Sequence, residues 1–193
     1  IAAKQLGKHG IGIELYPRYA EEARAHCQSS TLFDTPTGEA TIHIGDSSNL
    51  LKYVQQGSVD LVVTSPPYWD ILTQRRTADY KDTRSYGQSP ADLGTISDYK
   101  GFFDALKGIF RQVGTAMRPG AYCCVIVMDI RKKSRFYPLH TDVAEFMQEI
   151  GFIYDDLIIW DRRHEYNNMR PLGYPYVFRV NKAHEFILIF QKP

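Results

Sequence analysis

The sequence is poor in cysteine, with three in 193 residues. They are Cys27 and the adjacent pair Cys123 and Cys124, and no Cys-x-x-Cys spacing occurs. This usage predicts reduced thiols in a cytosolic protein, not disulfides or a zinc site. The six histidines are scattered and none pairs at ligand spacing, so no metal is expected.

Long apolar runs and a strong net charge are also missing. No run approaches the roughly 20 residues that cross a bilayer, and the start of the chain lacks the apolar core of a signal peptide. A formal net charge of +1 does not by itself indicate a nucleic-acid partner. What is present, 44% hydrophobic and 23% charged residues, is typical of one soluble globular domain spanning 1–193.

Strand and helix patterns alternate along the chain. The predicted strands are 9–14, 40–44, 59–63, 121–130, 152–160 and 185–190, and the main predicted helices are 17–28, 49–56, 98–117 and 141–150. Ser97 and Thr141 are the predicted N-caps of the last two helices. The alternation predicts an α/β fold with a doubly wound, mostly parallel Rossmann-like sheet. The last two strands have no helix between them, so they are expected to pair antiparallel.

Two acids end neighbouring predicted strands. Glu14 stands directly before a helix, where nucleotide-binding α/β folds place an acid that binds ribose hydroxyls. The alternative is an exposed acid at a strand end. Asp46 could accept a hydrogen bond from an adenine amino group, or cap the short helix that follows, or do both.

The stretch 64–70, Thr-Ser-Pro-Pro-Tyr-Trp-Asp, follows the apolar run 59–63, which predicts a buried strand. Neither proline can donate a backbone hydrogen bond, so the strand must end there. A polar and aromatic segment is thereby placed beyond the carboxyl end of a strand, where open parallel sheets bind ligands. Taken alone, the prolines are also explained as a strand terminator and Tyr68 as a half-buried aromatic.

Five stretches in order carry a resemblance that spans nearly the whole chain. They are Lys-His-Gly-Ile-Gly-Ile-Glu-Leu (8–15), Gly-Asp (45–46), Thr-Ser-Pro-Pro-Tyr (64–68), Met-Arg-Pro-Gly-Ala-Tyr (117–122) and His-Glu-Phe-Ile-Leu (184–188). Together they resemble the landmarks of the DNA amino-methyltransferases, enzymes of restriction–modification systems that modify N4 of cytosine or N6 of adenine.

The resemblance implies an enzyme that depends on S-adenosylmethionine and has a seven-stranded sheet with the last strand inserted antiparallel. Glu14 would hold the cofactor's ribose and Leu15 would pack on its adenine. Asp46 would bind the adenine amino group, and Ser47 is a further cofactor-binding residue. The catalytic pocket would be formed by Ser65, Pro66, Pro67 and Tyr68.

The motif suits methylation of an exocyclic amine. The Ser65 hydroxyl or the Pro66 carbonyl can accept a hydrogen bond from the amine and so localise its lone pair, and proline rigidity preorganises that carbonyl. Tyr68 can stack on a base that has left the duplex. Serine before Pro-Pro favours N4 of cytosine over N6 of adenine. Carbon-5 methylation is disfavoured because it needs a cysteine nucleophile, usually after proline, and no Pro-Cys occurs.

Basic residues concentrate in three loops predicted at the edge that holds the motif. Eleven of the 23 basic residues lie there: Arg75, Arg76, Lys81, Arg84, Arg131, Lys132, Lys133, Arg135, Arg162, Arg163 and Arg170. Such residues suit phosphate contacts and the interleaved aromatics suit unstacked bases. DNA is therefore the expected partner, and loops 69–96 and 162–182 are the candidate recognition surfaces. Solvated loop charge is the alternative for any single loop.

The glycine-rich cofactor loop of the family, of the Phe-x-Gly-x-Gly kind, is not found in the sequence. In this motif order it would precede Ile1, so this chain is expected to bind the cofactor weakly or not at all. Two other interpretations stay open: an RNA amino-methyltransferase, and a catalytically silent nucleic-acid-binding paralogue or subunit.

Overall fold

The structure, a computed structural model, describes residues 1–28, 38–71, 87, 89–164, 171, 173 and 175–193. The strands are β1 Gly10–Glu14, β2 Ala40–Ile44, β3 Val59–Thr64, β4 Met117–Val127, β5 Ile130–Lys132, β6 Arg135–Tyr137, β7 Ile153–Asp161 and β8 His184–Gln191. The α-helices are α1 Ala2–Gln5, α2 Pro17–Gln28, α3 Tyr99–Ala116 and α4 Leu139–Glu149. Short 3₁₀ turns cover Ser47–Lys52 and Leu93–Thr95. No helix among these residues is long and apolar enough to cross a membrane.

The strands form two parallel pairs and an antiparallel insertion. β1 pairs with β2 and β3 pairs with β4, both in parallel. β8 lies between β4 and β7 and is antiparallel to both. The α/β fold with its last strand antiparallel is confirmed. A single seven-stranded sheet is not found in the described residues, because β1 and β3 share no ladder and the strands divide into sheets of two and four, with β5 and β6 as a separate hairpin.

The core lies between one face of the four-stranded sheet and helices α3 and α4. Helix α3 buries a stripe at helical spacing, and α4 buries a second stripe against alternate residues of β4 and β8. Burying each large apolar side chain contributes about 1.5–3 kcal/mol, so this layer holds the fold together. Its fully buried members include Phe102, Phe110, Val125, Val143, Met147, Leu188 and Phe190.

The opposite face of the same sheet is exposed. Side chains of Leu61, Val63, Tyr122 and Ile158 are 58%, 61%, 37% and 46% exposed, and we call these four residues the open face. Strand 59–63 was expected to be buried, and for Leu61 and Val63 that expectation is wrong. Alternate residues of a strand point to opposite sides of the sheet, so these four side chains lie on the side away from the core.

Three helix starts differ from the pattern-based expectation. Helix α3 begins after Asp98, not Ser97, because the Asp98 carboxylate accepts a hydrogen bond from the Gly101 amide at 2.6 Å. Helix α4 begins after Pro138, not at Thr141, and the Asp129 carboxylate accepts from the His140 amide at 3.3 Å. The helix expected over 49–56 is a 3₁₀ turn that starts earlier, at Ser47.

The strand expected over 121–130 is also divided differently. β4 begins at Met117 and ends at Val127, so 118–120 extend the strand where a break was expected. The basic segment 131–135, expected to be a loop, belongs largely to the β5–β6 hairpin, whose turn places Lys133 at φ 55°. A hairpin fixes the direction of its basic side chains far better than a loop does.

We expect Asp98→Ala to lower the free energy of unfolding by about 1 kcal/mol, because the first turn of α3 loses its side-chain acceptor. Ser97→Ala is the matched control, and it should change stability by less than about 0.5 kcal/mol. Urea unfolding followed by circular dichroism measures both. A larger loss for Ser97→Ala than for Asp98→Ala would contradict the assignment of the cap.

Candidate active site

The segment 65–70 continues from β3, and we call it the tip. Ser65 is exposed and its Oγ lies 3.3 Å from Tyr68 Oη, within hydrogen-bond reach with either atom as donor. Pro66 is buried, Pro67 is half-buried, and Tyr68 packs its half-buried ring against the core. Thr64 is opposite Val125 in the parallel ladder, so the tip starts beside the carboxyl end of β4. The tip thereby holds two hydroxyl groups close together at the surface on a rigid backbone segment.

Trp69 fixes the far side of the tip. Its backbone is left-handed, with φ 55°, a conformation that costs a residue other than glycine roughly 1–2 kcal/mol. The side chain is 5% exposed, and its Nε1 donates to the Ile96 carbonyl at 2.8 Å. The ring also contacts Tyr99 and Tyr137, each with a centroid separation of 5.0 Å. Burial and this hydrogen bond offset the backbone cost and set the direction in which Tyr68 leaves the strand.

An ion pair joins the tip to the β5–β6 hairpin. Lys132 Nζ lies 2.6 Å from Asp70 Oδ2 and 3.7 Å from the centre of the Trp69 ring. Both side chains are largely buried, at 11% exposed for Asp70 and 18% for Lys132. In such buried surroundings each charge is stabilised by the opposite charge of its partner. Lys132 was expected to contact nucleic acid, and the structure uses its ammonium inside the protein instead.

Two more buried carboxylates stand at the same edge of the sheet. The Asp129 carboxylate lies 2.7 Å from His140 Nδ1, and that imidazole stacks on Phe186. The Glu185 carboxylate accepts from Arg162 Nη1. Arg162 was expected to bind nucleic acid, and its guanidinium is likewise committed to an internal partner. The patterns gave little sign of these pairs, because each joins residues from distant parts of the chain.

A second group of residues lies at the carboxyl ends of β1 and β2. Glu14 Oε1 accepts from the Tyr16 amide at 2.9 Å, and the Glu14 carbonyl accepts from the Gly45 amide at 2.9 Å, which joins the two strand ends. Leu15 and Ser47, predicted with these acids, are half-buried next to them in the chain. Sequence reasoning missed Tyr16, whose hydroxyl donates to Asp92 Oδ2 at 2.8 Å and ties this edge to a distant loop.

The Asp46 carboxylate caps the 3₁₀ turn. Its Oδ1 accepts from the Ser48 amide at 2.7 Å, and its Oδ2 accepts from Ser48 Oγ at 2.6 Å. The capping alternative for Asp46 is therefore confirmed. Each carboxylate oxygen has two lone pairs, so these bonds leave acceptor capacity for an amino group of a ligand.

The remaining predicted basic residues differ in whether the structure describes them, and those that it describes differ in whether an acidic side chain pairs with them. Arg131 and Lys133 are exposed on the hairpin. Arg163 is exposed too, but it pairs with Asp161 at 2.6 Å, and this contact lowers the pKa of the Asp161 carboxyl. Arg75 and Arg76 lie outside the described residues. Of the residues that can be placed, Arg131 and Lys133 are the hairpin's best candidates for phosphate contacts.

The thiols are poor nucleophiles. Cys123 is fully buried in β4, and burial raises its pKa to about 12. Burial also raises the pKa of Cys124. All three cysteines are free. Among the residues that the structure places, no group of three His, Cys, Asp or Glu side chains is arranged to hold a metal ion.

Lys182 is a half-buried amine at the same edge as the tip. Burial lowers its pKa to about 8, the Asp129 carboxylate opposes that effect, and the charge of Arg131 adds to it. A lysine normally titrates at 10.5. The folded chain therefore binds fewer protons than the unfolded chain between pH 8 and pH 10.5, and its stability rises with pH across that window.

Lys182→Met should therefore stabilise the fold at pH 7, where the buried ammonium is charged. We expect a gain on the order of 1 kcal/mol, well below the full linkage value because the amine keeps part of its hydration. The gain should shrink as pH rises from 8 and vanish near 10.5. Urea unfolding at pH 7 and pH 10 measures it, and equal stability of the two proteins at pH 7 would contradict the assignment.

Comparison with known proteins shows which family the chain resembles. A family model described as DNA methylase matches residues 59–193, which include the tip, the hairpin and β8. M.MthZI, a type II methyltransferase of Methanothermobacter thermautotrophicus, is 28% identical over 154 residues, covering 74% of this chain and 42% of its own. M.MjaI, a type II methyltransferase of Methanocaldococcus jannaschii, is 26% identical and is covered to 55%, against 78% of this chain. The chain thus spans about half the length of the curated relatives it matches.

Solved structures also resemble this chain. The protein TTHA0409 of Thermus thermophilus, a proposed DNA modification methylase crystallised with S-adenosyl-L-methionine, is 29% identical, with a TM-score of 0.54 over 78% of this chain and 54% of its own. The cytosine-N4-specific PvuII DNA methyltransferase shares the fold, with a TM-score of 0.51 at 22% identity over 78% of this chain and 48% of its own. Since the family model covers well over half of the sequence and includes the tip at the end of β3, the chain belongs to the DNA methylase family of N6 and N4 amino-methyltransferases.

Proposed function

We propose that the chain carries the catalytic part of a DNA methyltransferase that moves a methyl group from S-adenosylmethionine to an exocyclic amine of a flipped base. The observation that supports this most directly is the tip, where Ser65 and Tyr68 hold their hydroxyl groups 3.3 Å apart on a backbone segment that Trp69 fixes. The serine before Pro-Pro favours N4 of cytosine, with N6 of adenine as the alternative.

The tip acts on the amine by accepting hydrogen bonds from it and fixing its position. An exocyclic amine shares its lone pair with the base ring, and hydrogen bonds to the Ser65 hydroxyl or the Pro66 carbonyl localise that pair on nitrogen. Because the prolines and Trp69 restrict the backbone, the acceptors need little reorganisation as the reaction proceeds. Tyr68 stacks on the flipped base and holds the nitrogen in line for attack.

The cofactor fits the paired strand ends of β1 and β2. Glu14 and Asp46 put one carboxylate at each end, and the Glu14 carbonyl already ties the two ends together through the Gly45 amide. Glu14 would accept from the ribose hydroxyls, Asp46 would bind the adenine amino group with Ser47 as a further cofactor-binding residue, and Leu15 would pack on the adenine ring. When bound, the cofactor supplies the activated methyl group on its sulfonium.

DNA would be positioned by the exposed basic residues near the tip. Arg131 and Lys133 on the hairpin, with Arg163 after β7, would contact phosphates. The same role is proposed for Arg75 and Arg76, which follow the tip in the sequence. Lys132 and Arg162 contribute indirectly, because their partners are the buried carboxylates of Asp70 and Glu185.

Transfer of a tritiated methyl group from labelled cofactor to DNA, followed by nucleoside analysis, tests the proposal. N4-methylcytosine is the expected product, and N6-methyladenine would change the target base but keep the function. Transfer to RNA alone would replace DNA as the substrate. Cofactor and DNA binding without transfer would favour the catalytically silent alternative.

A further inference from the structure

Two cations approach one aromatic ring beside the tip. Lys182 Nζ lies 4.1 Å from the centre of the Phe136 ring, and Arg131 Cζ lies 5.4 Å from the same centre. Arg131 is opposite Phe136 in the hairpin ladder, and Lys182 comes just before β8. Because β8 runs antiparallel to β4, its first residues lie at the edge where β4 ends and the tip begins.

Both cations donate hydrogen bonds to neutral main-chain carbonyls. Lys182 Nζ donates to the Asp129 carbonyl at 3.1 Å, and Arg131 Nη1 donates to the Ser134 carbonyl at 3.1 Å. The nearby Asp129 carboxylate binds the ring and the amide of His140 instead. Within the described residues neither Lys182 nor Arg131 has a carboxylate in salt-bridge contact, in contrast to Lys132 and Arg162 at the same edge.

This contrast separates two kinds of basic residue. Lys132 and Arg162 are neutralised by buried acids and serve the fold, as described above. Lys182 and Arg131 repel each other across one ring; the Asp129 carboxylate offsets this repulsion at Lys182, and a bound anion would attract both cations. Both keep donors beyond the single hydrogen bond to a carbonyl, since an ammonium has three and a guanidinium five.

We propose that Lys182 and Arg131 together form a binding site for one backbone phosphate of the nucleic acid, beside the tip. The proposal rests on the proposed function only in taking DNA as the partner. The phosphate would neutralise both cations and bridge the hairpin to the start of β8. It would hold the strand next to the position that the flipped base occupies.

The site has a consequence for proton uptake. An arriving phosphate favours the charged amine, so DNA binding between pH 7 and pH 9 should draw a proton to Lys182, whose pKa is lowered to about 8 by burial. The charged groups around Lys182 are Asp129 and Arg131, with His140 behind Asp129 and His184 two residues along the chain. The variants at Lys182 therefore decide whether this amine carries the pH dependence.

Anisotropy titration of a fluorescent duplex with the wild-type protein at pH 7 and pH 9 tests the site. Affinity should fall up to about tenfold over this range, the linkage expected when an amine with a pKa near 8 must be charged to bind. Lys182→Met should weaken binding about five- to tenfold at pH 7, remove the pH dependence and lower the salt slope by about one. Lys182→Arg should keep the affinity at pH 7 and lose the pH dependence.

Lys192→Met is the matched control. Lys192 is another half-buried lysine that donates to a main-chain carbonyl, that of Met117 at 2.6 Å, but it lies at the opposite edge of the sheet. Its replacement should leave both affinity and pH dependence unchanged. Lys182→Met is expected to be more stable than the wild type, so loss of binding cannot be assigned to unfolding.

Wild-type affinity of Lys182→Met, or a pH dependence that persists in Lys182→Arg, would overturn the phosphate site and leave the proposed function intact. Failure of the wild-type protein to bind DNA at all would overturn both. The two failures are therefore distinguishable in the same set of titrations.

Discussion

Tyr68→Ala should lower the rate of methyl transfer by about a hundredfold or more, and Ser65→Ala by about tenfold to a hundredfold. In the proposed mechanism each variant would lose a contact to the reacting base, and losses of about this size are expected when one preorganised group is removed from an active site. Tyr68 carries the larger effect because its ring would hold the flipped base while its hydroxyl pairs with Ser65. The rate constant at saturating DNA and cofactor is the quantity to compare.

Two further variants separate the roles within this site. Tyr68→Phe keeps the ring and loses the hydroxyl, so it should retain most of the activity if stacking is the main contribution. Ser58→Ala removes an exposed serine just before the other end of the same strand and should not change the rate. Wild-type rates in both Ser65→Ala and Tyr68→Ala would remove the tip from the reaction.

Lys132→Met should lower the free energy of unfolding by about 3 kcal/mol. The substitution leaves the buried Asp70 carboxylate without its ammonium partner, and removal of one member of a buried ion pair typically costs about 3–5 kcal/mol. The ammonium also lies 3.7 Å from the Trp69 ring, so its contact with the aromatic face is lost too. Urea unfolding, with the slope compared between variants, gives the difference.

Lys133→Met is the matched control, because Lys133 is the next residue and is exposed. It should change stability by less than about 0.5 kcal/mol. The double variant Asp70→Asn/Lys132→Met should recover part of the loss, since it also removes the buried carboxylate charge that Lys132 neutralises. If Lys132→Met and Lys133→Met cost the same, the ion pair does not hold the tip.

The parts of the site that were predicted from sequence are determined by residues that are close together in the chain. Glu14, Asp46 and Ser65 each lie at or just after the end of a strand, and short apolar runs followed by polar residues identify strand ends well. Helix α2 begins at Pro17 and ends at Gln28, as its proline and apolar spacing predict. The antiparallel last strand was predicted because no helix separates it from the strand before.

What the sequence could not predict depends on distant partners. Lys132 and Arg162 have the same local character as Arg131, yet two of the three are bound to buried carboxylates far away in sequence. Trp69 adopts a left-handed backbone because Ile96, Tyr99 and Tyr137 surround its ring, and no pattern in 64–70 signals that. The open face was missed for a similar reason, since an apolar strand predicts burial without showing what would cover it.

The open face determines how the chain behaves in solution. Leu61, Val63, Tyr122 and Ile158 are exposed apolar residues on strands β3, β4 and β7 of one sheet, and exposed apolar surface favours association and adsorption. Retention in gel filtration and the midpoint of thermal unfolding should both vary with protein concentration. Stability comparisons between variants are therefore meaningful only at one fixed, low concentration, and replacing Leu61 and Val63 by threonine is a direct way to improve the solubility of the chain.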